Sequence, residues 1–103
     1  MTLSDIRIKL AGISPDIRHY FTSETQRDYT YWEETRRLPY TADNVHEEGW
    51  RFYVHRYTRD EYDTVAADIF AALDADPAIA VSHQVDYDPD SGYIHHIFEC
   101  ETI

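Results

Sequence analysis

Long apolar runs, glycine, cysteine and basic residues are all scarce in this chain, and each scarcity excludes something. No apolar stretch approaches the roughly 20 residues of a membrane-spanning helix. No signal-peptide pattern opens the sequence, so the expectation is a soluble protein made in a cytoplasm. With three glycines in all, no glycine-rich loop can cradle a phosphate. A single cysteine, Cys100, leaves no intrachain disulfide to form. It sits in an apolar run and reads as a small buried hydrophobe rather than a reactive thiol. Nine Lys and Arg stand against 20 Asp and Glu, for a net charge of -11. That balance opposes binding to a nucleic-acid backbone or an anionic membrane. It agrees with high solubility, with repulsion of DNA, or with mimicry of DNA.

What is present fits one globular domain spanning residues 1–103. Aromatics make up 15% of the chain, and nine of them are tyrosine, which suits half-buried strand faces and interfaces. "MTLSDIRIKLAGIS" reads as a short helix. Thr2 and Asp5 have capping-box spacing, Leu3, Ile6, Leu10 and Ile13 form one stripe, and Gly12 and Pro15 mark the end. "DIRHYFTSE" is a candidate first strand. "RDYTYWEET" is a clearer one, with Tyr29 and Tyr31 on one face and Thr30 and Trp32 on the other. "RRLPYTADN" is rich in turn formers and is expected to be an exposed loop of about ten residues, long enough to suggest a role.

"VHEEGWRFYVHRYT" is the best strand pattern. Trp50, Phe52 and Val54 are expected to face the core, while Arg51, Tyr53 and His55 face away. Gly49 is expected to mark a bulge or bend. In "TRDEYDTVAADIFAALDADP" a second capping box, Thr58 with Glu61, is expected to start a longer helix that Pro77 stops. Its apolar stripe includes Tyr62, Val65, Ala66, Ile69, Phe70 and Leu73. "AIAVSHQVDYD" and "YIHHIFECETI" form a closing hairpin about "DPDSG", a type I turn in which Gly92 takes a positive φ. The order α-β-β-β-α-β-β predicts an α+β fold, a mainly antiparallel sheet of four or five strands with both helices on one face. The expected core comprises Trp50, Phe52, Val54, Ile69, Phe70, Leu73, Ile94 and Phe98.

No catalytic constellation emerges, and the chain is not expected to be an enzyme or to need a cofactor. Of the six histidines, His95 and His96 are adjacent and point to opposite faces of a strand, so they cannot share one ion. His83 can face one of them across the hairpin. Helical zinc spacing and a cysteine cluster are both missing, so no metal site is expected. Asp86, Asp88 and Asp90 lack the glycine and distal glutamate of a calcium loop and suit a turn instead. Two other features suit contacts with proteins. Arg36, Arg37 and Tyr40 lie where an acidic partner, including a second copy, could be anchored. A small sheet also has edges that recruit strands.

The layout resembles the tail-terminator and tail-completion proteins of long-tailed, non-contractile phages. A short helix precedes "YTYW" and "LPYTADNV"; the long strand "WRFYVHRYT" runs into "DEYDTVAADIFAAL"; a strand, an Asp-rich turn and a final strand close in "HHIFECE". The likeness spans about Leu3 to Glu101. It implies a virion protein that forms a six-fold ring on the tail tube, ends tube polymerisation and joins the tail to the head connector. DNA would pass through the bore without tight binding, and an acidic lining would keep it from sticking. Arg36, Arg37 and Tyr40 are then the expected interface residues. A head-completion or adaptor protein on the portal is the alternative from the same particle. An acidic DNA-mimic inhibitor of a host defence enzyme, or a small metal-dependent enzyme, are alternatives from other classes.

Overall fold

Thr2 and Asp5 cap the first helix reciprocally: the Asp5 backbone N–H donates to the Thr2 hydroxyl at 3.1 Å, and the Thr2 N–H donates to the Asp5 carboxylate at 2.9 Å. Helix α1 (Leu3–Ile13) therefore begins where its capping box places it and buries Ile6 and Leu10. The computed structural model describes the backbone of residues 1–20, 27–42 and 45–102, and the side chains of all of these except 40–42 and 45–47.

Five strands follow the order β1-β2-β3-β5-β4: β1 (Ile17–His19), β2 (Tyr29–Ala42), β3 (Val45–Thr58), β4 (Ile79–Tyr87) and β5 (Ile94–Thr102). Strand β1 pairs parallel to β2, and the other pairings are antiparallel. Helix α2 (Thr64–Asp74) crosses between β3 and β4. Both helices pack on the same face of the sheet. Ile6, Leu10, Ala66, Ile69 and Leu73 meet Trp32, Phe52, Val54, Phe98 and Cys100 in one core. The predicted α+β architecture, with helices on one face of a mainly antiparallel sheet, is the architecture observed. Among the described residues no helix is long and apolar enough to cross a membrane.

Several expectations need correction. "RRLPYTADN" is not an exposed loop: residues as far as Ala42 continue β2, paired with β3 from Arg36↔Arg51 to Ala42↔Val45. The pairing of β3 with β5 stops at Arg51↔Glu101, so residues 36–42 of β2 and 45–50 of β3 form a two-stranded arm beyond the sheet. The molecule accordingly measures 51 × 23 × 22 Å. Turn-forming residues hid the arm, but a ribbon tolerates them. Pro39 needs no N–H on the side of a strand that faces no neighbour. The bulge falls on β2, between Glu34 and Arg36, and not at Gly49. Gly49 serves close approach: a Cβ there would lie 3.0 Å from the Thr102 carbonyl oxygen and 3.3 Å from that of Leu38.

Helix α2 starts later than its predicted cap and is no longer than α1, with 11 residues each. Thr58 accepts the Asp60 N–H at 3.0 Å, and Asp60 accepts the Tyr62 N–H at 2.9 Å. These local turns consume the cap, and Asp63 caps instead, accepting the Ala66 N–H at 2.9 Å. Tyr62 therefore lies outside the helix and is exposed. Phe52, Val54, Ile69, Leu73 and Phe98 are buried as expected. Trp50 and Phe70 are only partly buried against that core. Ile94 is half-buried outside it, at the end of the sheet beyond α2, beside Tyr62 and Val85. The first candidate strand shortens to Ile17–His19, and residues 21–24 of that stretch lie outside the described residues. The closing turn forms as read, with Gly92 at φ +77° and its N–H donating to the Asp88 carbonyl at 2.8 Å.

Candidate functional site

Strand alternation gives the sheet a second face that no helix covers, and its residues can be followed row by row across the strands. Tyr29 pairs with Tyr57, Tyr57 with His95, and His95 with Asp86. The next row is Tyr31, His55, Ile97 and Gln84; the next is Glu33, Tyr53, Glu99 and Ser82. Paired residues point the same way, so one end of this face is aromatic and the middle is acidic. The rings stack across the strands: Tyr29 on Tyr57 at 4.7 Å, Tyr57 on His95 at 4.0 Å, and Tyr31 on His55 at 4.6 Å.

The imidazoles on this face are tied together. His55 Nδ1 lies 2.8 Å from His95 Nε2, and His55 Nε2 lies 3.2 Å from the Glu33 carboxylate. Burial, reinforced by the neighbouring His55, pushes the His95 pKa down to about 4. Burial also raises the Tyr57 hydroxyl, with help from Tyr31. Near neutral pH the His95 and Tyr57 rings on this face are therefore uncharged.

The second feature is the arm. Of the three residues expected at an interface, the structure separates the roles. Arg37 is engaged within the arm: its Nη2 lies 3.2 Å from the Glu48 carboxylate, and its guanidinium stands 4.9 Å from the Trp50 ring centroid. Arg36 is exposed on the uncovered face opposite Arg51. Arg51 has its own partner, with Nε donating to Glu101 at 3.0 Å. Among the described residues Arg36 has no ion pair. Tyr40 belongs to β2 and pairs with Glu47, and its side chain lies outside those described.

The helix-covered face holds its charges differently. Arg56 Nε and Nη2 each donate to Asp63 at 3.0 Å, and its Nη1 donates to Thr30 at 3.3 Å. Burial would raise the Asp63 carboxyl, but the Arg56 and Ala66 hydrogen bonds outweigh it and hold it below the usual carboxylate range. His83 and His96 meet at 2.9 Å, as cross-hairpin reasoning anticipated, and His83 stacks on Phe98 at 4.4 Å. Burial pushes Cys100 up to about 12, so its thiol stays protonated at neutral pH. Among the described residues no group of three His, Cys, Asp or Glu side chains could hold a metal ion.

Sequence reasoning turned Tyr53 and His55 away from the core and put Tyr29 and Tyr31 on one face of their strand, but did not single them out as a site. The signal was available as strand parity on three separate strands. What it lacked was the pairing that puts β3 between β2 and β5. No protein-family model and no curated protein matches the chain.

Proposed function

We propose that the protein is a structural subunit of a long-tailed phage, a tail terminator that forms a ring on the tail tube and joins it to the head connector. The observation that carries this reading is the unequal use of the sheet. One face holds the core, while the other is bare, aromatic and continuous with an arm built from residues 36–42 and 45–50. Uncovered aromatic surface and a ribbon that reaches past the sheet gain little for an isolated subunit, but both supply contact area to a neighbour. The element order and acidic charge add support, since repulsion between the subunits and DNA lets DNA pass a bore without binding. The partners of this reading are further copies of the chain, the tail-tube protein and the head connector.

Electron microscopy of lysates from the parent phage with this gene disrupted tests it. DNA-filled heads beside overlong or unjoined tails are expected. Emptied heads beside normal tails would indicate head completion on the portal instead. Intact particles would overturn the structural role and favour the DNA-mimic inhibitor.

A further inference from the structure

The end of the sheet opposite the arm carries a cleft that the reading above leaves unused. Tyr29, Tyr57 and His95 form one side, and Tyr93 stands edge-on at 5.9 Å from Tyr29 and 6.1 Å from Tyr57. Asp86 and Asp88 form the rim, and the cleft encloses about 420 Å³. Aromatic faces attract cations through their quadrupole, and carboxylates at the rim add charge of the right sign. An anion would meet both groups unfavourably. The two carboxylates differ in availability. Asp88 accepts hydrogen bonds from the Ser91 hydroxyl at 2.9 Å and the Asp90 N–H at 3.0 Å, which keep it ionised and fixed in the turn. The Asp86 carboxylate is exposed, lies near His95 and makes no side-chain hydrogen bond or ion pair among the described residues. The tyrosine cluster already holds one guanidinium of its own chain, since Arg59 lies 4.1 Å from the Tyr93 ring centroid.

We propose that this cleft receives the guanidinium of Arg36 from the arm of a second copy. Arg36 is the arm cation without an acidic partner among the described residues, and the like-charged Arg51 opposite it favours an acceptor elsewhere. The cleft cannot take Arg36 from its own chain. Arg36 lies seven positions along β2 from Tyr29, at most about 23 Å at the usual rise per residue and about 20 Å with the bulge discounted, beyond the reach of one side chain. The contact therefore joins the arm of one copy to the far end of the next. Such a head-to-tail contact is heterologous, and it closes into a ring when the rotation between copies allows. A guanidinium is also the group best suited to stack on tyrosine while pairing with a carboxylate. The inference rests on the reading of the protein as a self-assembling subunit.

Charge reversal tests the contact, using the full chain at about 0.15 M salt, where long-range repulsion is screened. Arg36→Asp and Asp86→Arg change exposed side chains, and each variant should keep the wild-type circular dichroism spectrum. In sedimentation, each variant alone should self-associate about tenfold more weakly than wild type, a loss of ~1.4 kcal/mol. Mixing the two variants, or combining both changes in one chain, should restore association to within about threefold of wild type. Single variants that associate like wild type, or a mixture that stays monomeric, would overturn the contact. So would a wild-type chain that remains monomeric up to millimolar concentration.

Titration with N-acetyl-arginine amide, followed by NMR of the tyrosine rings, reads the cleft independently. Shifts at Tyr29 and Tyr57 that disappear in Asp86→Asn are expected, and an unshifted Tyr57 would overturn the site. The two proposals fail separately. A restored mixture with intact gene-disrupted virions keeps the contact and removes the junction role. Unjoined heads and tails without restoration do the reverse.

Discussion

Asp63 carries two duties in one carboxylate. It caps α2 through the Ala66 N–H and closes a bidentate pair with Arg56, whose side chain is 10% exposed against 8% for Asp63. Removing Asp63 leaves the buried Arg56 guanidinium only the more distant Asp28, at 3.7 Å, as an acidic partner. Asp63→Ala should destabilise the protein by about 3–5 kcal/mol in urea denaturation, since both the pair and the cap are lost. Asp63→Asn keeps a capping oxygen and should cost less. The histidines set the acid limb of stability. The folded pKa of His95 is depressed to about 4 from an ordinary 6.5, so below pH 6.5 the unfolded chain binds a proton that the folded chain refuses. His83 and His96 are depressed too, mainly by burial. Stability should therefore be full above about pH 6.5 and fall as the pH drops toward 4, before most carboxylates titrate. His95→Gln should flatten that slope in thermal melts taken at a series of pH values. An unchanged slope would mean that His95 titrates normally.

At the scale of elements, the legible parts were those specified by nearby residues. Thr2 with Asp5, the stripe Ile69–Leu73, the alternation Phe52–Val54 and the Asp88–Gly92 turn each depend on contacts within a few residues, and each formed as read. The arm was illegible because its strand character comes from its partner. "RRLPYTA" has the composition of a loop and becomes a strand only by pairing with 45–51. The start of α2 failed for a related reason: Asp60 and Thr58 had a competing local arrangement that pattern alone could not rank below or above a capping box. The open aromatic face was half legible, by parity within strands but not by order between them.

The bulge at Glu34/Arg36 decides which way the arm's side chains point, because one extra residue exchanges the two faces. Inserting an alanine between Arg36 and Arg37 should exchange the faces of the arm beyond it and separate Arg37 from Trp50. Amides of the arm should then lose protection in hydrogen exchange, while those shared by β3 and β5 keep theirs. Global stability should change by no more than about 1 kcal/mol, the range for sites outside the core. Loss of protection throughout the sheet would show instead that the register of the arm is needed for the fold.

For the molecule as a whole, charge opposes any contact between copies. Two bodies of charge -11 at an assumed separation of about 25 Å repel by about 20 kcal/mol in unscreened water. A Debye length of about 10 Å at 0.1 M salt reduces this to about 2 kcal/mol. One exposed ion pair contributes about 1 kcal/mol or less. Repulsion therefore wins at low ionic strength and becomes comparable to local attraction near physiological salt. Self-association should strengthen as salt rises from about 10 to about 150 mM, opposite to a contact governed by its ion pair. Sedimentation at several salt concentrations checks this, and weakening over that range would show that local pairs dominate.

The continuity of β3 has a mechanical consequence. Residues 45–50 of this strand lie in the arm, and 51–58 lie in the sheet between β2 and β5. A pull on the arm along its length is carried by an unbroken backbone into the most supported strand of the sheet. There it loads two ladders of hydrogen bonds in shear, many at once, rather than peeling them open one by one. Phe52 and Val54 anchor the same stretch in the core. Tension applied to the arm is thus borne by the core as a unit, and the arm behaves as a tether fixed at its root rather than as a flap.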